Sequence, residues 1–346
     1  MSDLDPRAEA VLRSVIRHHI VSGEPVGSKA VTEGTRLDLS PASIRNVMAE
    51  LEDRGYLQQP HTSAGRVPTD SAYRVYVDRL LPRTRVAAKQ RQVIDAALAE
   101  SRREIPDLLA EASRQLSQFS NQVGLVLAPA LQRVAIDRIE FVRLDARRVV
   151  AILVARTGDV HHRMLETEDH DSQEELDRVG RYLTDELAGL TLPEMRDRLV
   201  LRMTEERAAY DRLMAKSLEL GSRALEPNEA DAELLVEGAS NLIGSPEFSE
   251  VETMRGLFKT LEEKKTLIAL LGQVMDGNGV QVVIGGENPQ AELNRCSVVA
   301  ASYGGTANSL GTLGIVGPTR MEYARAIALV DHLAAVLTRL LSGPGD

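Results

Sequence analysis

The chain has no tryptophan, four phenylalanines and seven tyrosines. Few large rings are therefore available to anchor a core or to stack on bases. One cysteine, Cys296, excludes an internal disulfide and any CxxC zinc or redox motif, and fits a reducing compartment. It lies in an apolar strand-like run, which points to a buried structural thiol. No apolar run approaches the length of a membrane span; Val149–Ala155 is among the longest. The first residues, MSDLDPRAEAVL, are acidic and lack an apolar h-region, so no secretory signal is expected. The expectation is a soluble, cytoplasmic protein that does not enter a membrane.

Catalytic chemistry is also thin. His161, His162 and His170 lie near Glu166, Glu168 and Asp169, but strand alternation sends the first two histidines to opposite faces. Gly285-Gly286 and Gly304-Gly305 lack a Walker lysine and a strand–GxGxxG–helix context, and read as turn glycines. No Ser/His/Asp or Cys/His set can be assembled. The expectation is no catalytic residue, no metal, no cofactor and no enzymatic role.

What is present is an uneven charge. The net charge is −10, yet residues 1–91 hold 14 Lys+Arg against 11 Asp+Glu, whereas residues 92–346 hold 27 against 40. The first segment can approach phosphate while the acidic remainder is repelled. Arginine outnumbers lysine by 35 to 6. At 346 residues the length favours two or three domains.

The chain is organised around Leu39–Thr69. Ser40 is placed to cap a helix, with Pro41 at its first position and Gly55 just past its end. Ile44, Val47, Met48 and Leu51 form its apolar stripe. The opposite face carries Ala42, Asn46 and Ala49, flanked by Ser43, Arg45 and Glu50. Asn can bond adenine, Arg can bond guanine and Ala can touch a thymine methyl, so this face suits a major groove. Tyr56–Pro60 and Arg66–Thr69 read as two short edge strands, joined by the loop His61-Thr62-Ser63-Ala64-Gly65. A hairpin directly after such a helix reads as a wing, with His61, Thr62, Ser63 and Arg66 near phosphates or the minor groove. An ordinary surface helix and a solvated hairpin remain the bland alternative.

Upstream, Asp5, Pro6 and Gly23 bracket a first helix with Val11, Leu12, Val15, Ile16 and Ile20 inside. Ser28 is expected to cap a short second helix ending at Gly34, with Lys29 at a phosphate-binding helix start. Tyr73 and Tyr76 are read as packing against the first helix rather than stacking on bases.

Three blocks carry a specific resemblance: VSGEPVGSKAV (Val21–Val31), SPASIRNVMAELEDRGYL (Ser40–Leu57) and GRVPTDSAYRVYVDRLL (Gly65–Leu81). They resemble the HrcA family of heat-inducible transcription repressors, and Ser302–Thr319 resembles that family's C-terminal region. The resemblance implies a winged-helix domain, a GAF-like domain and an inserted dimerising domain. It also implies an inverted-repeat operator on double-stranded DNA upstream of chaperone operons, and assistance by the GroE chaperonin.

After Pro82-Arg83-Thr84-Arg85, a helix with Val93, Ile94, Ala97 and Leu98 on one face is expected, then one starting near Pro106. Strands follow at Val123–Ala128, Val134–Leu144, Val149–Ala155 and Val160–Leu165. Ser172/Glu175 and Thr191/Glu194 fit capping boxes. A helix is expected from Ser245 to Gly277, then strands at Val280–Ile284, Ser297–Ala301 and Leu313–Val316, then a helix over Glu322–Leu341. The expected fold is α+β and multidomain: winged helix at 1–82, connecting helices at 83–122, a GAF-like α/β body at 123–168 with 277–346, and a largely helical dimerisation insert at 169–276, with two places open for the 134–165 meander, the main sheet or the insert. The expected DNA contacts are Ala42, Ser43, Arg45 and Asn46 to bases, and Ser28, Lys29, Ser40, Arg54 and the wing to phosphates, in a homodimer. The rival reading is a winged-helix regulator gated by a small ligand in the GAF-like domain.

Overall fold

Helix α1 (Pro6–Ser22) starts where the Asp5 carboxylate accepts the Ala8 N–H at 2.6 Å, and it stops at Gly23, whose φ of 72° closes a left-handed cap. Val11, Leu12, Val15 and Ile16 are fully buried; each such side chain contributes about 1.5–3 kcal/mol relative to exposure. The computed structural model describes residues 4–34, 39–61, 64–82, 84–101, 104–129, 131–167, 172–205, 212–225, 233–273, 279–304 and 309–341.

Helix α2 (Ser28–Gly34) begins with Ser28 itself, and the Gly27 carbonyl accepts the Val31 N–H at 3.3 Å. Ser28 is thus a first-turn residue and not the expected cap. Helix α3 (Pro41–Asp53) is capped by Ser40, which accepts the Ser43 N–H at 3.1 Å. Ile44, Val47, Met48 and Leu51 are its buried residues. Gly55, at φ 78°, turns the chain into β1 (Leu57–Gln58), which pairs antiparallel with β2 (Val67–Pro68). A bridge from Val26 to Arg66 adds a third position to this small sheet. Thr69 then caps α4 (Asp70–Val75), which continues as a π-helical turn over Tyr76–Leu80.

Helix α5 (Ala88–Glu100) buries Ile94 and Leu98 but leaves Val93 49% exposed, so its apolar stripe is narrower than expected. Helix α6 (Ile105–Ser120) buries Leu109, Ala112 and Leu116.

Strand β3 (Val123–Leu127) enters the main sheet, and the chain then leaves it. Strands β4 (Ala135–Arg143), β5 (Arg148–Ala155) and β6 (Val160–Glu166) form an antiparallel meander. Helix α7 (Gln173–Leu187) opens with a reciprocal Ser172–Glu175 capping box, and β7 (Leu190–Thr191) pairs with the start of β4. Helices α8 (Leu192–Glu205) and α9 (Arg212–Ala224) complete the unit. The chain returns at β8 (Leu234–Glu237), followed by α10 (Val251–Glu262), α11 (Lys264–Gly272), β9 (Val280–Ile284), β10 (Cys296–Tyr303), β11 (Gly311–Pro318) and α12 (Tyr323–Leu341).

The main sheet has the order β8-β3-β11-β10-β9, and the second has β6-β5-β4-β7. This redraws the expected division. The meander over 134–165 pairs with β7 and shares its core with α7, α8 and α9, not with the main sheet. Strand β8, by contrast, is an edge of the main sheet, and α10 and α11 pack beneath that sheet. The separately packed unit therefore runs from Leu131 to Leu225, and residues 234–272 join the body. The helix expected over 245–277 is also interrupted: a short 3₁₀ turn at Pro246–Phe248 precedes α10, and Glu263 separates α10 from α11.

One apolar core runs without a break from α1, α3 and α4 through α6 and α12 to one face of the main sheet. The other face packs on α10 and α11, with Cys296 among its buried residues. Burial pushes that thiol up to about 12, so it is inert at neutral pH.

Candidate nucleic-acid interface

The buried stripe of α3 fixes which side chains point away. Ala42, Arg45 and Asn46 are exposed on the opposite face, with Ser43 and Ala49 half-buried beside them. Ser40 and Ser43 also share a hydrogen bond between their hydroxyls at 3.0 Å, so both are tied to the helix start. Lys29 is exposed in the first turn of α2, and Ser28 beside it is half-buried. Helix α2 packs on α3, so this first turn lies near the α3 unit. The connection at 35–38 lies outside the described residues.

The hairpin is held by short-range polar contacts. The Thr69 hydroxyl donates to the Gly55 carbonyl at 2.8 Å, and the Gln59 amide donates to the Ala64 carbonyl at 3.0 Å. Gly65 has no room for a side chain, because a Cβ would lie 2.5 Å from the Val26 carbonyl. His61 is exposed at the tip; Thr62 and Ser63 lie outside the described residues.

Arg66 is engaged within the fold. Its Nε donates to Glu52 Oε2 at 2.8 Å, its second nitrogen lies 2.7 Å from the same oxygen, and its side chain is 17% exposed. Its backbone also pairs with Val26 in both directions at 2.9 Å. The side chain thus fastens the hairpin to the end of α3. Arg54 is half-buried, 5.9 Å over the Tyr56 ring and 3.4 Å from Glu50.

Tyr73 and Tyr76 are buried, as packing residues. A second set of contacts, invisible to sequence reading, joins this unit to the body. The Arg74 guanidinium grips the Glu287 carboxylate with two nitrogens and donates to the Val282 carbonyl at 2.7 Å. The Gly286 N–H donates to Asp70 at 2.8 Å. Arg320 pairs with Glu247 and donates to the Ile20 carbonyl at 3.0 Å. The hydrogen bond that Arg74 donates to Glu287, and the charge of that carboxylate, raise Arg74 above its ordinary range. Burial alone would raise Glu287, but Arg74 and the Ile284 N–H outweigh it and hold the carboxyl below the usual value.

A groove of about 610 Å³ lies in the inserted unit between β4 and α7, lined by Arg138, Glu140, Asp177 and Arg181 among others, away from this face. Among the described residues no three His, Cys, Asp or Glu side chains are grouped for a metal, and no helix is long and apolar enough to cross a membrane.

The HrcA protein C terminal domain family matches residues 106–327. A curated relative from Geobacter sulfurreducens is 43% identical over 343 residues, covering 99% of this chain and 100% of its own. One from Syntrophobacter fumaroxidans is 39% identical over 347 residues, covering 100% of both chains. One from Xanthomonas axonopodis pv. citri is 41% identical, covering 99% of this chain and 97% of its own. All three bear the name heat-inducible transcription repressor HrcA. A crystal structure described as that of a hypothetical protein superposes with a TM-score of 0.59 at 24% identity, covering 98% of this chain and 97% of that one, and supports the fold alone. With the family matched over most of its length and relatives matched from end to end, the chain belongs to the HrcA family.

Proposed function

We propose that this protein is a transcriptional repressor of heat-shock genes that binds an inverted-repeat operator as a homodimer. The observation that carries the reading is the outward face of α3, where Ala42, Arg45 and Asn46 stand exposed beside a short hairpin. A helix start with small and hydrogen-bonding side chains outward fits a major groove, and the hairpin beside it acts as a wing. Arg45 and Asn46 read bases with Ala42 and Ser43 beside them. Lys29 with Ser28, Ser40 and Arg54 faces phosphates, and His61, Thr62, Ser63 and Arg66 meet phosphates or the minor groove. The relatives' shared name supports the repressor role.

The body acts as a GAF-like domain and Leu131–Leu225 as the dimerising insert. What supports the insert is the outer face of its sheet. Val142, Val150 and Met164 stand in one cross-strand row, and Val154 pairs with Val160 four residues along, with Glu140, Ile152 and His162 in the row between. Val142, Val160 and Met164 are 38%, 61% and 53% exposed, large apolar side chains left open on a face they share with Arg138, Glu140 and His162, as at a mixed interface. Selection of bound duplexes from a randomised pool tests the function. Enrichment of an inverted repeat is the expected result, and a pool that stays random overturns it.

A further inference from the structure

We propose that the junction between the DNA unit and the body determines operator specificity, by fixing the angle of each α3 and hence the half-site spacing the dimer accepts. This rests on the reading of the protein as a DNA-binding dimer. Two recognition helices related by a twofold axis meet successive major grooves only at one separation. A DNA unit tied by residues 82–87 alone would rotate and accept several spacings. The structure holds it instead at three separate points.

Asp70 and Arg74 bond to Gly286 and to Glu287 with Val282, on α4, and Arg320 bonds the Ile20 carbonyl at the end of α1. Anchors on two different helices of the DNA unit, α1 and α4, restrain rotation as well as translation. All three are directional charge-assisted contacts, and the paired Arg74–Glu287 geometry fixes orientation in a way apolar packing does not. Beneath them Tyr73 and Tyr323 are buried in the continuous core.

Two glycines permit the close approach. A Cβ at Gly285, whose φ is 52°, would lie 2.1 Å from Asp70 Oδ2; one at Gly23 would lie 3.2 Å from the Arg320 guanidinium carbon. None of the anchors lies on α3 or the hairpin, so they orient the reading face without covering it.

The test uses the full-length protein and the variant Glu287→Gln/Arg320→Gln. Gln at 287 keeps an acceptor for the Ile284 N–H, so the loop retains its cap. Cysteines introduced at Asp53 and Arg255, both exposed, carry spin labels, in dimers diluted with unlabelled chain. The same proteins are titrated with the selected inverted repeat and with versions lengthened or shortened by single base pairs. The expected wild type shows one narrow label distance and loses about tenfold or more in affinity when the spacing changes. The expected variant shows a broader distance and a measurably flatter spacing profile than wild type. A variant with a broad distance but the wild-type spacing profile overturns the proposal, as does one whose distance stays narrow. A wild type that binds no repeat at all overturns the DNA-binding reading instead, and the label distances still report on the anchors.

Discussion

Tyr73 and Tyr323 face each other across the junction, with ring centroids 5.8 Å apart and planes tilted by 46°. Tyr73 shares a 2.8 Å hydrogen bond with His19 Nδ1, and Tyr323 donates to the Thr319 carbonyl at 2.7 Å. Both rings are buried, and both hydroxyls are partnered, as buried phenols require. The contact between DNA unit and body is therefore an ordered interior and not a hinge.

That interior is acid-sensitive. Burial, reinforced by Arg320, lowers His19 below its ordinary 6.5. As pH falls, the unfolded chain takes up this proton first, so stability present above 6.5 is lost toward the folded value. Glu287 acts in a lower window: its folded carboxyl lies below the ordinary 4.5, so its contribution is lost as pH falls through the folded value. The thermal midpoint is expected to drop between pH 7 and 5.5, and His19→Gln to flatten that drop. Calorimetry at several pH values checks it; an unchanged slope in the variant counts against the assignment.

On DNA, Asn46 and Lys29 should separate cleanly. Asn46→Ala is expected to cost roughly 1–3 kcal/mol on the specific site and little on random DNA. Lys29→Ala should weaken both to a similar extent and reduce the salt slope by about one. Titrations at several salt concentrations decide it. Equal losses on both DNAs for Asn46→Ala would contradict base reading.

Arg66 is predicted to act as a structural residue as well. Arg66→Ala should lower stability by about 1–2 kcal/mol, because it strips a charge-assisted partner from half-buried Glu52. Adding Glu52→Ala should cost little more, since the pair acts as a unit. A stability unchanged from wild type, with operator affinity lost at a salt slope reduced by one, would leave Arg66 with phosphate contact alone.

The contrast between α3 and Arg66 shows what a sequence can disclose. The cap, start and buried stripe of α3 depend on neighbours within four residues, and all are legible in Ser40–Gly55. Glu52 and Arg66 meet only because the hairpin folds back, so Arg66 alone reads as a free cation. The strands at 134–165 were plain from alternation, but alternation does not name a partner, and the meander closes on itself. Strand β8 has only four residues and a partner, β3, far away in the chain, which left it inside an expected helical segment. Asp70 and Arg74 meet the body only after 200 further residues have folded, as the Arg74–Glu287 separation of 213 shows.

The outer face of the inserted sheet should control assembly. Met164→Glu with Val160→Glu places two charges at apolar positions where wild-type side chains are already exposed, so the fold is expected to persist. Sedimentation should show a monomer with operator affinity reduced to that of a single half-site. A dimer of wild-type stability would move the interface elsewhere.

Folding itself follows from the sheet order. Strand β3 lies between β8 and β11, and Val126 pairs with Leu235 on one side and Leu313 on the other. The whole inserted unit intervenes before either partner is made, and the second partner comes near the C-terminus. Such pairing is slow, because closure entropy must be met before the contacts form. Until β11 arrives, the edge of β3, apolar and buried in the finished protein, stays open to other chains. With 3% aromatic residues, few large side chains hold the body together early. The chain is therefore expected to depend on a chaperonin. Competition from heat-damaged proteins would then lower the active repressor with no dedicated temperature-sensing residue. Dilution from denaturant with and without chaperonin and ATP, followed by operator titration, measures this. Recovery of binding should rise several-fold with chaperonin. Rapid and complete recovery without it, at physiological concentration and temperature, would remove the physical basis of this regulation.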